Sequence, residues 1–387
     1  MIRVLVADDS HAARLLIVSL LESDPEIEVV GQVADGESAV VSAKRLRPDV
    51  ITMDIYMPRL DGLEATARIM SESPTPIVVV SSTVSAQDVA SSLAATKAGA
   101  LVAVPKPGAA GDRQAEEDRR AFVATVKAMA RVKVVRRWSG AMPAIPMAAQ
   151  GGPPQRQDTA SDSSSRHHSS ATATGSLPSA SDITRPAGRV ALVVIAASTG
   201  GPTALQTVLS ALPASFPAPI VVVQHIARGF LAGFAGWLDG ECAVRVRVAA
   251  PPESLEPGTV YIAPDEDHLG ISANRRTRAI DGPMVNGFKP SGSVLFESAA
   301  DAFGRSLVAV ILTGMGSDGV SGLYRVRATG GYVIAQDEAS SLIYGMPGEA
   351  VMAGVVDVSL PIDRIAAHLQ KIASASPSSR LSENSGA

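Results

Sequence analysis

Leu192-Val193-Val194-Ile195-Ala196-Ala197 is an unbroken apolar run that ends in Ser198-Thr199-Gly200-Gly201-Pro202. Such a run reads as a buried strand of a parallel sheet, and the residues after it as the turn where the sheet opens into a helix. The two glycines give the backbone room to turn, and Pro202 suits the first turn of the following helix. Ser198 is then held at the sheet edge, facing substrate. A serine hydroxyl is a weak nucleophile unless a base takes its proton, so the fold question becomes a question about bases.

The histidines can be sorted by elimination. His11 lies near the N-terminus, and His167 and His168 lie in a serine-rich tract. His368 sits on an amphipathic pattern with Ile365 and Leu369 and reads as a helix-surface residue. His268 follows Asp265-Glu266-Asp267 and reads as a loop residue. His225 directly follows Ile220-Val221-Val222-Val223-Gln224, at the carboxyl end of a second strand. Ligands of open α/β sheets bind on that rim. Taken alone, His225 is better explained as a structural strand-end histidine. A third run, Leu307-Val308-Ala309-Val310-Ile311-Leu312, leads into Thr313-Gly314-Met315-Gly316-Ser317-Asp318-Gly319. Asp318 can orient an imidazole as the acid of a Ser-His-Asp triad does, or it can simply cap a helix from Val320 onward. The glycines leave backbone N–H groups free for a developing oxyanion. Three such residues at three strand ends favour the triad. The chain order Ser-His-Asp and the Ala at position 196, giving A-x-S-x-G, set aside the ordinary α/β-hydrolase.

The N-terminal half repeats the geometry with different chemistry. Ile2-Arg3-Val4-Leu5-Val6-Ala7 precedes Asp8-Asp9, Val50-Ile51-Thr52-Met53 precedes Asp54, and Leu101-Val102-Ala103-Val104-Pro105 precedes Lys106-Pro107. Three carboxylates at strand ends repel unless a cation neutralises them. Mg²⁺ takes such oxygen ligands and also binds phosphate oxygens. One carboxylate can then accept a phosphoryl group, with Lys106 countering the charge. The competing explanations are helix capping for Asp8-Asp9, before the apolar stretch 15–21, and a solvated turn for Lys106.

These residues carry two resemblances. The segments 196–202, 224–225 and 312–319, with Val260-Tyr261-Ile262-Ala263-Pro264, Ser293-Val294-Leu295-Phe296, Ala335-Gln336-Asp337 and Tyr344-Gly345-Met346-Pro347, resemble the signatures of the chemotaxis protein-glutamate methylesterases, the CheB family. The match covers about residues 189–372. It implies a hydrolase that converts glutamate γ-methyl esters on chemoreceptors to glutamate and methanol, and deamidates particular glutamines. It also implies Ser198 as nucleophile, His225 as base, Asp318 as its orienter, and Thr199 and Met315 as oxyanion contributors, with no cofactor for hydrolysis. Over about residues 1–125, Asp8-Asp9, then Asp54-Ile55-Tyr56-Met57-Pro58-Arg59-Leu60-Asp61-Gly62, then Lys106-Pro107, resemble a response-regulator receiver. That implies Asp54 as the phosphoacceptor and metal carboxylates Asp8, Asp9 and Asp54 around Mg²⁺. It also implies Lys106 as the phosphate contact and Ser81, or its neighbour Ser82, as the sensing hydroxyl. Receivers often carry an aromatic residue where this chain has Ala103, so a switch without an aromatic lever is expected. The family often has an acidic residue near Ser293, a departure expected to bear on which receptor is contacted.

The expected architecture is α/β throughout. A flavodoxin-like doubly wound receiver occupies residues 1–125, with its last helix read over Phe122–Val135. A helix end and a flexible Ser/Pro/Ala-rich linker follow over 126–188. A doubly wound, Rossmann-like methylesterase domain spans 189–374, and a disordered tail 375–387. A linker of this length reaches roughly 40 Å as a flexible coil, so the halves can dock or separate. The 387 residues suffice for two full cores. A net charge of −4 gives no global field for nucleic acid, and no apolar run approaches a membrane span. The single cysteine, Cys242, excludes an internal disulfide and suits a reduced, cytoplasmic setting. No signal-peptide core precedes the first strand. The expected partners are methyl-accepting chemoreceptors as substrate and a chemotaxis histidine kinase as phosphodonor, in two-component signalling. The alternative is a response regulator with a non-catalytic or nucleotide-binding output domain. Thr199-Gly200-Gly201 fits neither G-x-G-x-x-G nor a P-loop, and no helix-turn-helix pattern appears in 189–374.

Overall fold

A computed structural model describes residues 1–81, 95, 98–108, 113–132, 134, 189–226 and 229–374. Ser82, the tract 139–188 with His167-His168, and the tail 375–387 lie outside the described residues.

The N-terminal elements are β1 (Ile2–Ala7), α1 (His11–Glu22), β2 (Ile27–Val33), α2 (Gly36–Leu46), β3 (Val50–Asp54), α3 (Gly62–Glu72), β4 (Ile77–Ser81), β5 (Val102–Pro105) and α4 (Arg113–Met129). The strands form one parallel sheet in the order β2-β1-β3-β4-β5. This is the flavodoxin-like order, whose ligands sit beyond the carboxyl ends of β1 and β3. Side chains alternate across the sheet. Leu5 and Ala7 of β1 pack on the α2–α3 side, and Val4 and Val6 on the α1–α4 side. Ser10, Asp35 and Asp61 accept the first-turn N–H groups of α1, α2 and α3, so Asp8 and Asp9 are not the cap of α1. The last helix is earlier than the sequence suggested. It begins at Arg113, passes residue 125, and buries Phe122, Val126 and Met129, whose 3–4 spacing makes its inner stripe.

The C-terminal elements are β6 (Leu192–Ala197), α5 (Gly201–Ser210), β7 (Ile220–Gln224), α6 (Leu231–Glu241), β8 (Arg245–Val248), β9 (Thr259–Ile262), β10 (His268–Ile271), β11 (Thr277–Ile280), α7 (Gly292–Phe303), β12 (Leu307–Ile311), α8 (Val320–Ala328), β13 (Tyr332–Gln336), α9 (Met346–Met352), β14 (Val358–Leu360) and α10 (Ile362–Ser374). Seven parallel strands form one sheet in the order β14-β13-β12-β6-β7-β9-β8, and β10–β11 is a separate antiparallel hairpin. The unbroken apolar run of β6 follows from burial on both faces. Val193, Ile195 and Ala197 pack with Leu205, Phe234 and Leu369 of α5, α6 and α10. Leu192, Val194 and Ala196 pack with Phe296 and Leu323 of α7 and α8. Each such Val, Leu or Ile contributes about 1.5–3 kcal/mol through burial. From β6 the chain proceeds to β7 on one side, while β12 returns on the other. Ligands of such sheets bind where the connections diverge, beyond the carboxyl ends of the strands, and Ser198 stands at that point.

Two histidines sit differently from their sequence patterns. His368 is 8% exposed, and its Nε2 lies 3.3 Å from the Tyr332 hydroxyl. It falls three positions after Ile365 and so shares that residue's inner stripe. Burial pushes its pKa down, and Lys371 adds to the effect. His268 is not in a loop but begins β10, at 2% exposure. Among the described residues no helix is long and apolar enough to cross a membrane.

Candidate active site and acidic pocket

Ser198 follows β6 directly and is 8% exposed. The turn after it needs glycine twice. Gly200 has a left-handed φ of 78°, and a Cβ on Gly201 would collide with the side-chain oxygen of Gln224. Gln224 crosses beneath the turn, donating through Nε2 to Ser198 O at 2.9 Å and His225 O at 2.8 Å. The strand ends are therefore stitched together. The register pairs Ala197 with Gln224, so Ser198 and His225 are the next positions on adjacent strands.

His225 is fixed on its edge and its face. Nε2 lies 2.9 Å from Asp318 Oδ2. Phe288 stacks on the ring with centroids 3.8 Å apart and planes 3° from parallel. Nδ1 is buried and makes no hydrogen bond among the described residues. The acceptor on Asp318 assigns the ring proton to Nε2 and leaves the Nδ1 lone pair open.

Asp318 is fully buried. It does not cap α8, whose N-cap is Gly319, with no side-chain bond. It lies instead at the start of α7. Its Oδ2 accepts Gly292 N–H at 2.6 Å, and its Oδ1 accepts the Ser291 hydroxyl at 2.6 Å and Ser293 N–H at 3.3 Å. Burial opposes ionisation, but the donors from His225, Ser291 and Gly292 outweigh it and hold the carboxyl at about 2. Position 293 is not a receptor-facing site. Ser293 is 2% exposed, and its Oγ accepts Gly319 N–H at 2.8 Å, tying α7 to the Asp318 loop.

The loop after β12 lies against the serine. Ser198 N–H donates to Thr313 O at 3.1 Å, and the Thr313 hydroxyl donates to Thr199 O at 3.0 Å. A Cβ built on Gly314 would stand 2.7 Å from Ser198 Cβ. Ser198 N–H is thus committed to Thr313. The Thr199 and Met315 N–H groups donate to no backbone carbonyl among the described residues. The Met315 side chain is 44% exposed.

Sequence reasoning had no role for Gln224, Phe288, Ser291 or Gly292. Gln224 could have been suspected as a polar residue closing an apolar strand. Phe288 carries no such signal. It reaches His225 because the Asn286-Gly287 turn, with φ of 53° and 83°, folds Val285 back onto Phe288.

In the N-terminal sheet, Asp8, Asp9 and Asp54 bring carboxylate oxygens within 4.8 Å of one another. Asp8 and Asp54 are buried and Asp9 is exposed. Lys106 Nζ lies 2.8 Å from Asp54 Oδ2 and 3.0 Å from Asp8 Oδ2. Burial raises the Asp54 pKa, and Asp8 adds to the rise against the pull of Lys106. Ser81 ends β4 at 1% exposure, its Oγ without a partner among the described residues, and its carbonyl accepts Lys106 N–H at 2.9 Å. A Cβ on Gly62 would strike the Asp54 carbonyl, which explains the glycine after Asp61. An all-oxygen set with one exposed carboxylate fits a small hard cation with room for water and phosphate.

The CheB methylesterase family model matches residues 193–369, and the response regulator receiver domain model matches residues 4–115. A protein-glutamate methylesterase/protein-glutamine glutaminase of Anaeromyxobacter dehalogenans is 48% identical over 95% of this chain and 98% of its own. One from Geobacter metallireducens is 44% identical over 96% and 99%. The CheB methylesterase catalytic domain of Thermotoga maritima aligns with 47% of this chain and 98% of its own, at 39% identity and a TM-score of 0.46. With a receiver sheet followed by a sheet that carries Ser198, His225 and Asp318 at its rim, and with full-length relatives at this identity, the chain belongs to the CheB family of response-regulator methylesterases.

Proposed function

We propose that Ser198, His225 and Asp318 are the hydrolytic machinery of a protein-glutamate methylesterase and glutaminase acting on chemoreceptors. The observation that carries this reading is the state of His225: one nitrogen bonded to a buried, ionised Asp318, the other unpartnered among the described residues, on a residue whose register position neighbours that of Ser198. Ser198 Oγ attacks the ester carbonyl while Nδ1 takes its proton, and the negative charge on Asp318 stabilises the imidazolium. The Thr199 and Met315 N–H groups are the candidate donors to the oxyanion. The imidazolium then protonates the departing methoxide, giving methanol and an acyl-serine. Water, deprotonated by the same Nδ1, releases the glutamate carboxylate. A glutamine side chain follows the same steps with ammonia as leaving group. Methanol release from methylated receptor membranes tests this directly. Wild-type release by Ser198→Ala would overturn it.

The receiver would be phosphorylated at Asp54 by a histidine kinase. Asp8, Asp9 and Asp54 would hold Mg²⁺, which offsets the carboxylate charge and admits the phosphoryl group. Lys106 would meet its oxygens and Ser81 would follow its arrival. Domain limits of 1–125 and 189–374 suit these roles, with α4 carrying the first unit to Met129. Regulation by docking is supported by two contacts of the catalytic rim. Ile343 packs against the receiver cluster that contains Phe122 and Val126. Met315 lines a cavity of about 700 Å³ with Leu20, Val123 and Lys127. A docked receiver would thus stand beside the loop that carries an oxyanion candidate, and phosphorylation would weaken that contact. A cytoplasmic setting fits a single cysteine whose thiol burial pushes up to about 11.

A further inference from the structure

We propose that Ser291 is a positioning residue of the esterase centre, tying Asp318 to the buried imidazole of His268 so that the carboxylate presents one fixed edge to His225. This rests on the assignment of Ser198, His225 and Asp318 above and extends it.

Ser291 is fully buried at the N-cap of α7. Its Oγ accepts Ser293 N–H at 3.1 Å, so its single O–H is left to donate to Asp318 Oδ1, 2.6 Å away. Its own N–H donates to His268 Nδ1 at 3.1 Å. His268 must then carry its proton on Nε2, which lies 2.9 Å from Pro283 O. The serine is thereby held from three directions. Asp318 in turn has one close donor besides His225 on each side, Gly292 N–H on Oδ2 and the Ser291 hydroxyl on Oδ1. The Ser293 N–H on Oδ1 is longer, at 3.3 Å. Without the hydroxyl, Oδ1 keeps only that weak donor. The carboxylate can then rotate, and its less shared charge holds the imidazolium proton more tightly.

The test is a pH–rate profile of methanol release by the full-length protein, with wild type, Ser291→Ala, Ser291→Cys and His225→Ala compared. Ser291→Ala is expected to lower kcat/KM about tenfold, the scale of one charge-assisted hydrogen bond. It should also move the acidic limb, where the base takes up its proton, to higher pH. Ser291→Cys keeps the size and a weak donor, so it should fall between. A helix cap alone would lower the melting temperature and leave the limb in place. An unmoved limb with a rate within twofold of wild type in Ser291→Ala overturns the role of Ser291. Wild-type activity in His225→Ala would instead overturn the base assignment beneath it.

Discussion

Asp54 closes a parallel strand and Asp318 stands beyond the end of another, both as buried carboxyls, yet their environments push them in opposite directions. Asp54 faces Asp8 and shares one ammonium with it, so burial and like charge raise its pKa. Asp318 faces His225, a hydroxyl and backbone N–H groups, and is held at about 2. Depth does not decide the charge; the number of donors does. The first carboxyl is left short of positive partners and fits an incoming cation and phosphoryl group. The second is saturated and suits a permanent anion that never changes state.

The largest effects should come from the saturated side. Ser198→Ala and His225→Ala are each expected to reduce methanol release by about 10⁴-fold or more, and the double variant should be little worse, because the two act as one unit. Asp318→Ala should be milder by about a hundredfold, since it orients rather than reacts. Equal losses for all three would break the distinction between reacting and orienting groups. On the other side, a small phosphodonor with Mg²⁺ should label the protein at Asp54, and a chelator should abolish the label. Label retained by Asp54→Ala would move the acceptor elsewhere.

Smaller effects join the two regions. The fragment from residue 189 onward is expected to outpace the unphosphorylated full chain on methylated receptors, and the phosphorylated chain should approach it. A tenfold difference corresponds to about 1.4 kcal/mol of docking free energy. A fragment no faster than the whole would place activation in receptor recruitment instead. Effects of similar size are expected in stability, and they should have opposite signs. Asp318 favours its charged form in the fold, so its contribution is complete above pH 3.8 and disappears as pH falls toward about 2. That contribution is about 2 kcal/mol. Asp54 favours its proton in the fold, so its charge subtracts from stability at neutral pH, and the penalty fades as pH drops below its raised value. Thermal unfolding at pH 7 without Mg²⁺ should therefore show Asp318→Asn less stable and Asp54→Asn more stable than wild type. Two shifts of the same sign would break the comparison.

Both sheets were legible because buried parallel strands are written as continuous apolar runs and the site residues stand where those runs stop. The positions of Ser198, His225, Asp54 and Lys106 at the ends of those runs could be read that way, while the roles expected of them came from the resemblance. What escaped notice depends on side chains crossing between elements. The burial of His268 is set by a hairpin packed against α7, and nothing in its neighbours announces it. Asp318 looked equally able to cap the helix that follows it, and its actual role at the start of α7 spans 26 positions of sequence. The departure at Ser293 from an acidic residue common in the family was expected to bear on which receptor is contacted. Only the fold shows that the Ser293 hydroxyl holds Gly319.

The central pair of the catalytic sheet, β6 and β12, joins residues more than a hundred positions apart, while β6 and β7 are near neighbours in sequence. A chain still being synthesised can pair β6 with β7 long before β12 exists. Until β12 inserts, Ser198 N–H lacks the Thr313 carbonyl and His225 lacks Asp318. Such long-range pairing is slow to form. A truncated or half-folded chain would therefore carry the serine and the histidine on adjacent strands without the acid that orients the imidazole, and full hydrolytic competence would be expected only with completion of the sheet.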